Sequence, residues 1–431
     1  MTALATGPMS LVGAAAVESF RLFAAAPDPR MTADLDMHLS RFGPLPLGDY
    51  PGGAGRRILV EKVARAGLRG RGGGGFPLAE KMAVVNESKR TPTVVANGCE
   101  SDPSSAKDRV LLHRAPHLVL DGIALAAHAV GAKDAVLALH ADSPLTAVLM
   151  AALRERGGDP VPVQLAEMPQ GFVASESTAL VNTLNTGDPR PTGVRTSVKG
   201  VRGRPTLVAN VETLAHLALI ARFGERWYRT AGTEGSPGTT LATVSGAVNR
   251  PGVHEIEMGL PVSDLLELAG GETEPLRAVL IGGLGGSWLP SDDALELALA
   301  HETCADVGIQ LGVTALIALP ASACGVSETA MVLQYLADAS AGQCGPCMFG
   351  LPAIAADMAT LADGIYDRDL LPRLKRRLGV IPGRGACSHP DGAARLAASA
   401  LHTFADDVAA HARGVPCAAS GLGPWTPIGY G

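Results

Sequence analysis

Six glycines within nine residues, Gly67-Leu-Arg-Gly-Arg-Gly-Gly-Gly-Gly75, constrain this 431-residue chain more than any other feature. So dense a run is a poor helix and a poor strand, because glycine has no Cβ and loses the most backbone freedom on ordering. Gly70, Gly72 and Gly75 stand in G-x-G-x-x-G register. A dinucleotide fingerprint of that form has to follow a strand. Here residues 58–66 carry the apolar spacing of a short helix that Gly67 would cap, so the standard Rossmann turn does not fit. Arg69, Arg71 and Lys81 frame the glycines, and Phe76-Pro77 closes them ahead of a helix-like stretch. Exposed amides, cations and a helix start suit a phosphate-bearing ligand; a flexible linker is the alternative.

Downstream, strand-like and helix-like segments alternate. Residues 93–97 and 135–140 read as buried strands, whereas 116–130 and 145–156 have helical period and length, an alternation that argues for a sheet flanked by helices. The pattern changes at Thr239. A strand over 240–248, a turn at Arg250-Pro-Gly252, a short helix over 262–269 and a strand over 278–281 suit a compact mixed α/β domain of about 80 residues. From Ser327 onward, helices are expected over 328–339, 351–365, 370–378 and 392–413, with Cys344, Cys347 and Cys387 in the loops between them. Residues 1–55 mix Ala with Pro and Gly and read as a lead-in with few fixed elements. The expected division is 1–55 lead-in, 56–236 first α/β domain, 237–320 second α/β domain and 321–431 helical domain.

Composition narrows the function classes. With 47% hydrophobic and 18% charged residues the chain can bury packed cores rather than stay disordered. A net charge of -6 with scattered Lys and Arg gives no field for nucleic acid or anionic lipid. No apolar run reaches the ~18 residues a membrane span needs, so no membrane insertion is expected. Met1 to Phe20 lacks the basic opening of a secretory signal, which points to the cytoplasm. Seven cysteines, an odd number spread thinly, suit reduced thiols or metal ligands better than a disulfide framework.

Several ordered segments then carry a family resemblance. Gly67 to Pro77 with Lys81 resembles the glycine loop of the NADH-oxidising flavoprotein subunit of respiratory complex I and its relatives in NAD-dependent hydrogenases and formate dehydrogenases. Asn97-Gly-Cys-Glu-Ser-Asp-Pro103 with Lys107-Asp-Arg109, Glu176-Ser-Thr-Ala-Leu180, Pro205-Thr-Leu-Val-Ala-Asn-Val-Glu-Thr213 and Ser245-Gly-Ala-Val-Asn-Arg-Pro-Gly252 resemble further motifs of that family, in the same order. The resemblance runs from about residue 58 to about residue 400.

What the resemblance implies is an FMN-binding α/β domain, a ubiquitin-like (SLBB-type) α/β domain and a C-terminal helical bundle carrying an iron-sulfur site. It implies FMN contacts from Gly70, Arg71, Gly72, Phe76, Lys81, Asn97, Glu100, Asn210 and Thr213. It implies catalytic roles for Glu176, at the flavin and nicotinamide face, and for Asp102, which helps hold the dinucleotide. Amide donors and cations suit a flavin phosphate, and Asn and carboxylate side chains suit ribityl hydroxyls. Taken singly, Glu100 or Glu212 is as readily a helix cap or an ion-pair partner.

The departures from the family pattern are specific. Cys99 and Ser177 replace acids, and Val84 and Arg195 stand where aromatic rings for the adenine are expected, beside the retained Phe76. Each missing ring forfeits stacking of about 1 kcal/mol. The family's cluster loop reads S-C-G-x-C-x-P-C-R, but here Ser340 is followed by Ala341 and only Cys344 and Cys347 remain, with the distant Cys387. Three thiolates can hold three irons of a [4Fe-4S] or [3Fe-4S] cluster. The fourth iron would need solvent, Ser340, a remote thiol such as Cys324, or a partner. Zinc with His389, or no metal, are the alternatives. Cys304, Cys324 and Cys417 lie far from any ligand spacing and read as inert thiols.

The resulting expectation is an oxidoreductase passing electrons between NAD(P)H, FMN, an iron-sulfur cluster and an external carrier such as a ferredoxin or a membrane-bound reductase. A non-catalytic or flavin-only homologue is the rival.

Overall fold

The computed structural model describes residues 21–415 and residue 417. The Met1 to Phe20 segment lies outside the described residues.

The first domain is built on a parallel sheet of β1 (Thr93–Asn97), β2 (Ala135–His140), β3 (Val163–Met168) and β4 (Thr206–Asn210), in the order β3-β2-β1-β4. Parallel strands need crossovers, and the intervening helices supply them. Val94 to Ala96 are fully buried, as expected for a strand covered on both faces. Helices Pro116–Val130 and Val211–Tyr228 pack together on one face. Their close approach requires Gly122, where a Cβ would lie 2.0 Å from the Leu214 carbonyl oxygen. Asn97 and Asn210 are register partners at the carboxyl ends of β1 and β4, so both polar side chains emerge at one edge of the sheet.

The stretch expected to be a loose lead-in is partly built in. Helix Leu35–Phe42 starts at Asp34, whose carboxylate accepts the Met37 amide at 2.8 Å. Leu22, Phe23 and Tyr50 are at most 1% exposed and join the first domain's core. Scattered apolar side chains, without periodicity, anchor this segment.

The second sheet runs β6-β5-β9-β7-β8, formed by β5 (Thr239–Gly246), β6 (Gly252–Glu257), β7 (Leu276–Ile281), β8 (Ser287–Pro290) and β9 (Ala315–Pro320). β5 pairs with β9 in parallel and with β6 antiparallel, a mixed sheet. Helices Gly325–Asp338, Leu351–Ala362, Leu370–Val380, His389–Thr403 and Ala405–His411 follow as a bundle. The single helix expected over 392–413 is broken at Phe404 (φ -108, ψ 35). Its ring is buried edge-on against Trp288 at 5.5 Å, and a Cβ on Gly325 would strike it.

Among the described residues no single helix is long and apolar enough to cross a membrane; Lys107–Arg114 and Pro116–Val130 pass only as a pair bent by 97°.

Candidate flavin and iron-sulfur site

Helix Gly52–Ala66 ends at Gly67, which adopts φ 72, ψ 27, the left-handed cap that frees the chain to turn into the glycine run. Gly70 and Phe76 close this loop, the Gly70 amide donating to the Phe76 carbonyl at 2.9 Å. Gly73 and Gly75 hold positive φ (96° and 59°), so side chains there would strain the backbone. Gly72 rests on Asn210, with room for a Cβ only at 3.3 Å from the Asn210 Cβ. The glycine loop is thereby seated on the carboxyl edge of the sheet, where open α/β sheets bind ligands.

Arg71 departs from its expected role. Its amide donates to Thr213 Oγ1 at 2.8 Å, but its buried guanidinium turns toward the second domain. There it donates to the carbonyls of Pro237 (3.3 Å) and Thr239 (3.1 Å) and to the Tyr228 hydroxyl (3.2 Å), and lies 4.0 Å from Glu212. This cation latches two domains instead of facing a phosphate. Lys81 differs. Its ammonium, on a half-buried side chain, meets no hydrogen bond or ion pair among the described residues, and it lies 6.0 Å from the centre of the Phe76 ring. Burial holds its pKa below the usual lysine value. Such a cation is poised for an incoming anion.

Asn97, Asn210, Glu100 and Thr213 form the frame of the edge. Asn97 donates to the Ser175 carbonyl (2.9 Å) and accepts the Cys99 amide (3.1 Å). Asn210 caps helix Val211–Tyr228 through the Glu212 amide and donates to Asp108 at 2.6 Å. Beneath it, the buried Lys107 ammonium contacts Asp108 (2.6 Å), Glu212 (3.0 Å) and Asn210 (3.2 Å). With Arg71 these two cations and two carboxylates balance in charge, as buried ions must. Burial pulls the Lys107 pKa down, but Asp108, Glu212 and Glu100 pull it up further. Glu100 accepts the amides of Asp108 and Arg109, both at 3.2 Å, and the Ser105 hydroxyl at 2.5 Å. It therefore caps helix Lys107–Arg114.

Asp102 also has its acceptors filled, by the Ser104 amide (2.9 Å) and hydroxyl (2.6 Å) and by the Leu284 amide (2.9 Å). Burial pushes its carboxyl above the ordinary range. Glu176 caps helix Ser177–Thr186 through Oε2, which accepts from Thr178 and Ala179; no donor reaches its Oε1 among the described residues.

A cavity of about 310 Å³ lies beside this edge, sharing Glu100 and Asp102 with it and bounded by Arg109, His140, Phe172 and Tyr335. Phe172 meets Tyr335 edge-on at 6.2 Å and His389 at 5.2 Å, so its ring bridges the first domain and the helical bundle. Sequence reasoning missed this aromatic wall because its members come from separate elements with no shared motif.

The cysteine loop docks against the first domain, Gln343 donating to the Pro191 carbonyl at 2.7 Å. Cys347 sits in a π-helical turn, Pro346–Gly350, a deviation that often marks functional sites. Cys344, Cys347 and Cys387 perturb one another. Burial raises the Cys344 thiol, but hydrogen bonds at Ala386 and Cys347 bring it below the ordinary value. Burial, then Cys344 and Cys387, push Cys347 up to about 12, against a hydrogen bond with Ser340. Burial raises Cys387 as well, and the negative charge of Glu176 adds to it. His389 donates from Nε2 to the Leu336 carbonyl (2.8 Å) and sets its ring 5.2 Å from Phe172, so its lone pair lies on Nδ1, which is buried with no hydrogen-bond partner among the described residues.

Comparisons with known proteins agree with this layout. Residues 63–219 match the Nuo51 FMN-binding domain, residues 241–286 the SLBB domain and residues 327–411 the NADH-ubiquinone oxidoreductase-F iron-sulfur binding region. Fold and site thus define a flavin and iron-sulfur electron-transfer protein of the oxidoreductase class. An NADH-quinone oxidoreductase subunit of Rhizobium meliloti is 29% identical over 85% of this chain and 94% of its own length. Its counterpart in Streptomyces coelicolor is 30% identical over 83% of this chain and 84% of its own. This chain belongs to the family of NADH-quinone oxidoreductase subunits that carry the Nuo51 FMN-binding domain. A solved NAD+-reducing [NiFe]-hydrogenase in the air-oxidised state superposes with a TM-score of 0.79 at 30% identity, covering 85% of this chain and 65% of the hydrogenase chain.

Proposed function

We propose that this chain holds FMN at the carboxyl edge of the parallel sheet, takes electrons from NAD(P)H and passes them through a cluster at Cys344, Cys347 and Cys387 to an external carrier. The observation that carries this reading is the unpaired, half-buried Lys81 beside a glycine loop seated on Asn210. When bound, FMN supplies the exchange between a two-electron hydride donor and one-electron acceptors.

The chain's own residues divide the labour. Lys81 neutralises the flavin phosphate, and amides at Gly72 to Gly75 donate to it. Asn97, Glu100, Asn210 and Thr213 keep the edge in shape, while Phe76, 48% exposed, offers an open ring face. Glu176 presents Oε1 toward the nicotinamide side and Asp102 positions the 97–105 loop. Cys344, Cys347 and Cys387 would hold three irons, and the Ser340 hydroxyl, hydrogen-bonded to Cys347, would be one group able to serve the fourth. The external carrier is a protein such as a ferredoxin or a membrane-bound reductase. Among the described residues none of the seven cysteines forms a disulfide, which suits the cytoplasm. A flavin-only variant of this function is favoured by one feature, the alanine at position 341.

Equilibrium titration with FMN tests the reading. Lys81→Ala should raise the FMN dissociation constant roughly 10- to 100-fold by removing one charge-assisted contact. Equal affinity in wild type and variant would remove Lys81 from the flavin site.

A further inference from the structure

Cys324 and His411 stand 87 residues apart, yet Cys324 Sγ lies 3.6 Å from His411 Nε2. Cys417 Sγ completes a group whose three ligand atoms all lie within 4.8 Å of one another. We propose that Cys324, His411 and Cys417 form a second metal site, distinct from the cysteine loop, that takes a zinc-class divalent cation through two thiolates and one imidazole.

Each ligand is prepared by its place in the fold. Cys324 is the N-cap of helix Gly325–Asp338, and its sulfur accepts the Ser327 amide at 3.5 Å. The thiolate is the form that binds metal. His411 holds Nδ1 at 3.2 Å and 3.0 Å from the carbonyls of Leu361 and Ala362, at the end of helix Leu351–Ala362. Carbonyl oxygens only accept, so Nδ1 carries the proton and the lone pair stays on Nε2. That lone pair accepts the Cys417 amide at 3.3 Å, a bond that a bound cation would replace. Metal-binding imidazoles use this arrangement, the far nitrogen fixed by a backbone carbonyl.

The spacing also fits. Tetrahedral zinc, with bonds near 2.3 Å to sulfur and 2.0 to 2.1 Å to nitrogen, sets a sulfur-to-nitrogen edge of roughly 3.5 Å. Two thiolates neutralise a divalent cation, which suits a site where Cys324 and His411 are buried. Cys417 is only half-buried, so the fourth position opens toward water. The cation would tie the N-terminus of one helix, the end of a second and the segment after residue 411 into one clasp. The thiols of Cys324 and Cys417 are then ligands rather than inert.

The test uses the full chain, isolated anaerobically with Zn2+ or with Co2+ in its place. Elemental analysis and a chromophoric chelator read zinc content and affinity; thiolate-to-cobalt absorption reports sulfur ligation. About one zinc per chain is expected, with affinity lowered more than tenfold in Cys324→Ser and His411→Ala and cobalt absorption unchanged in Cys344→Ser. Cys417→Ser, at a half-exposed position, should lower affinity without loss of FMN retention, which separates ligation from misfolding. Zinc that follows Cys344 instead of Cys324 overturns the proposal. So does wild-type protein that takes no zinc, or a Cys324–Cys417 disulfide under the same anaerobic conditions.

Discussion

Asp102 accepts the backbone amide of Leu284 at 2.9 Å across 182 residues of sequence, and Gly283 leaves no space for a side chain between them. An acid that sequence reasoning aims at a dinucleotide is therefore a bolt between the 97–105 loop and the second sheet. Asp102→Ala should lower unfolding free energy by about 1–3 kcal/mol, the cost of leaving buried donors unsatisfied, while Asp102→Asn, which keeps one acceptor, should recover part of it. Denaturant titration of both variants checks this. If both were as stable as wild type and only KM for the nicotinamide nucleotide rose, Asp102 would instead be a ligand-facing acid.

Lys107 offers a sharper stability test because its ammonium is the common partner of Asp108, Glu212 and Asn210. Lys107→Met should cost about 3–5 kcal/mol by stranding two buried carboxylates. A loss below 1 kcal/mol would mean that Arg71 alone balances the network.

His301 makes the glycine loop pH-sensitive. A Cβ on Gly75 would lie 2.9 Å from its ring, and burial, then Arg71 and Arg69, lower its pKa to about 4 from 6.5. The unfolded chain thus binds the extra proton first, so stability is full above about pH 6.5 and falls as the pH drops toward 4. His301→Gln should flatten this slope in thermal melts between those limits. An identical slope in the variant would assign the acid sensitivity elsewhere.

At the cluster, Ala341→Cys should restore oxygen tolerance. The wild type in air should show a [3Fe-4S] electron paramagnetic resonance signal or no cluster, because an iron without a thiolate dissociates on oxidation. Equal stability of both forms in air would mean that another group, Ser340 foremost, already serves the fourth iron.

Much of this architecture is legible in the chain. β1, β2 and helix Pro116–Val130 fall where residue pattern places them, since buried parallel strands and a long apolar helix leave continuous signals. β3 leaves no such signal because it is an edge strand with only Met168 buried. The site is legible in composition but not in orientation. A sequence shows that Arg71, Glu100 and Asn210 are polar, not whether they face a ligand or satisfy a helix end. Only tertiary structure brings Cys324 to His411, or Phe172 to Tyr335.

The most direct measurement is an absorption spectrum of anaerobically purified protein, reconstituted with excess FMN, iron and sulfide and desalted, with flavin and iron assayed on the same sample. A yellow protein with about one FMN per chain and iron approaching four per chain is the predicted result. Protein that stays colourless and iron-free after reconstitution would contradict the account.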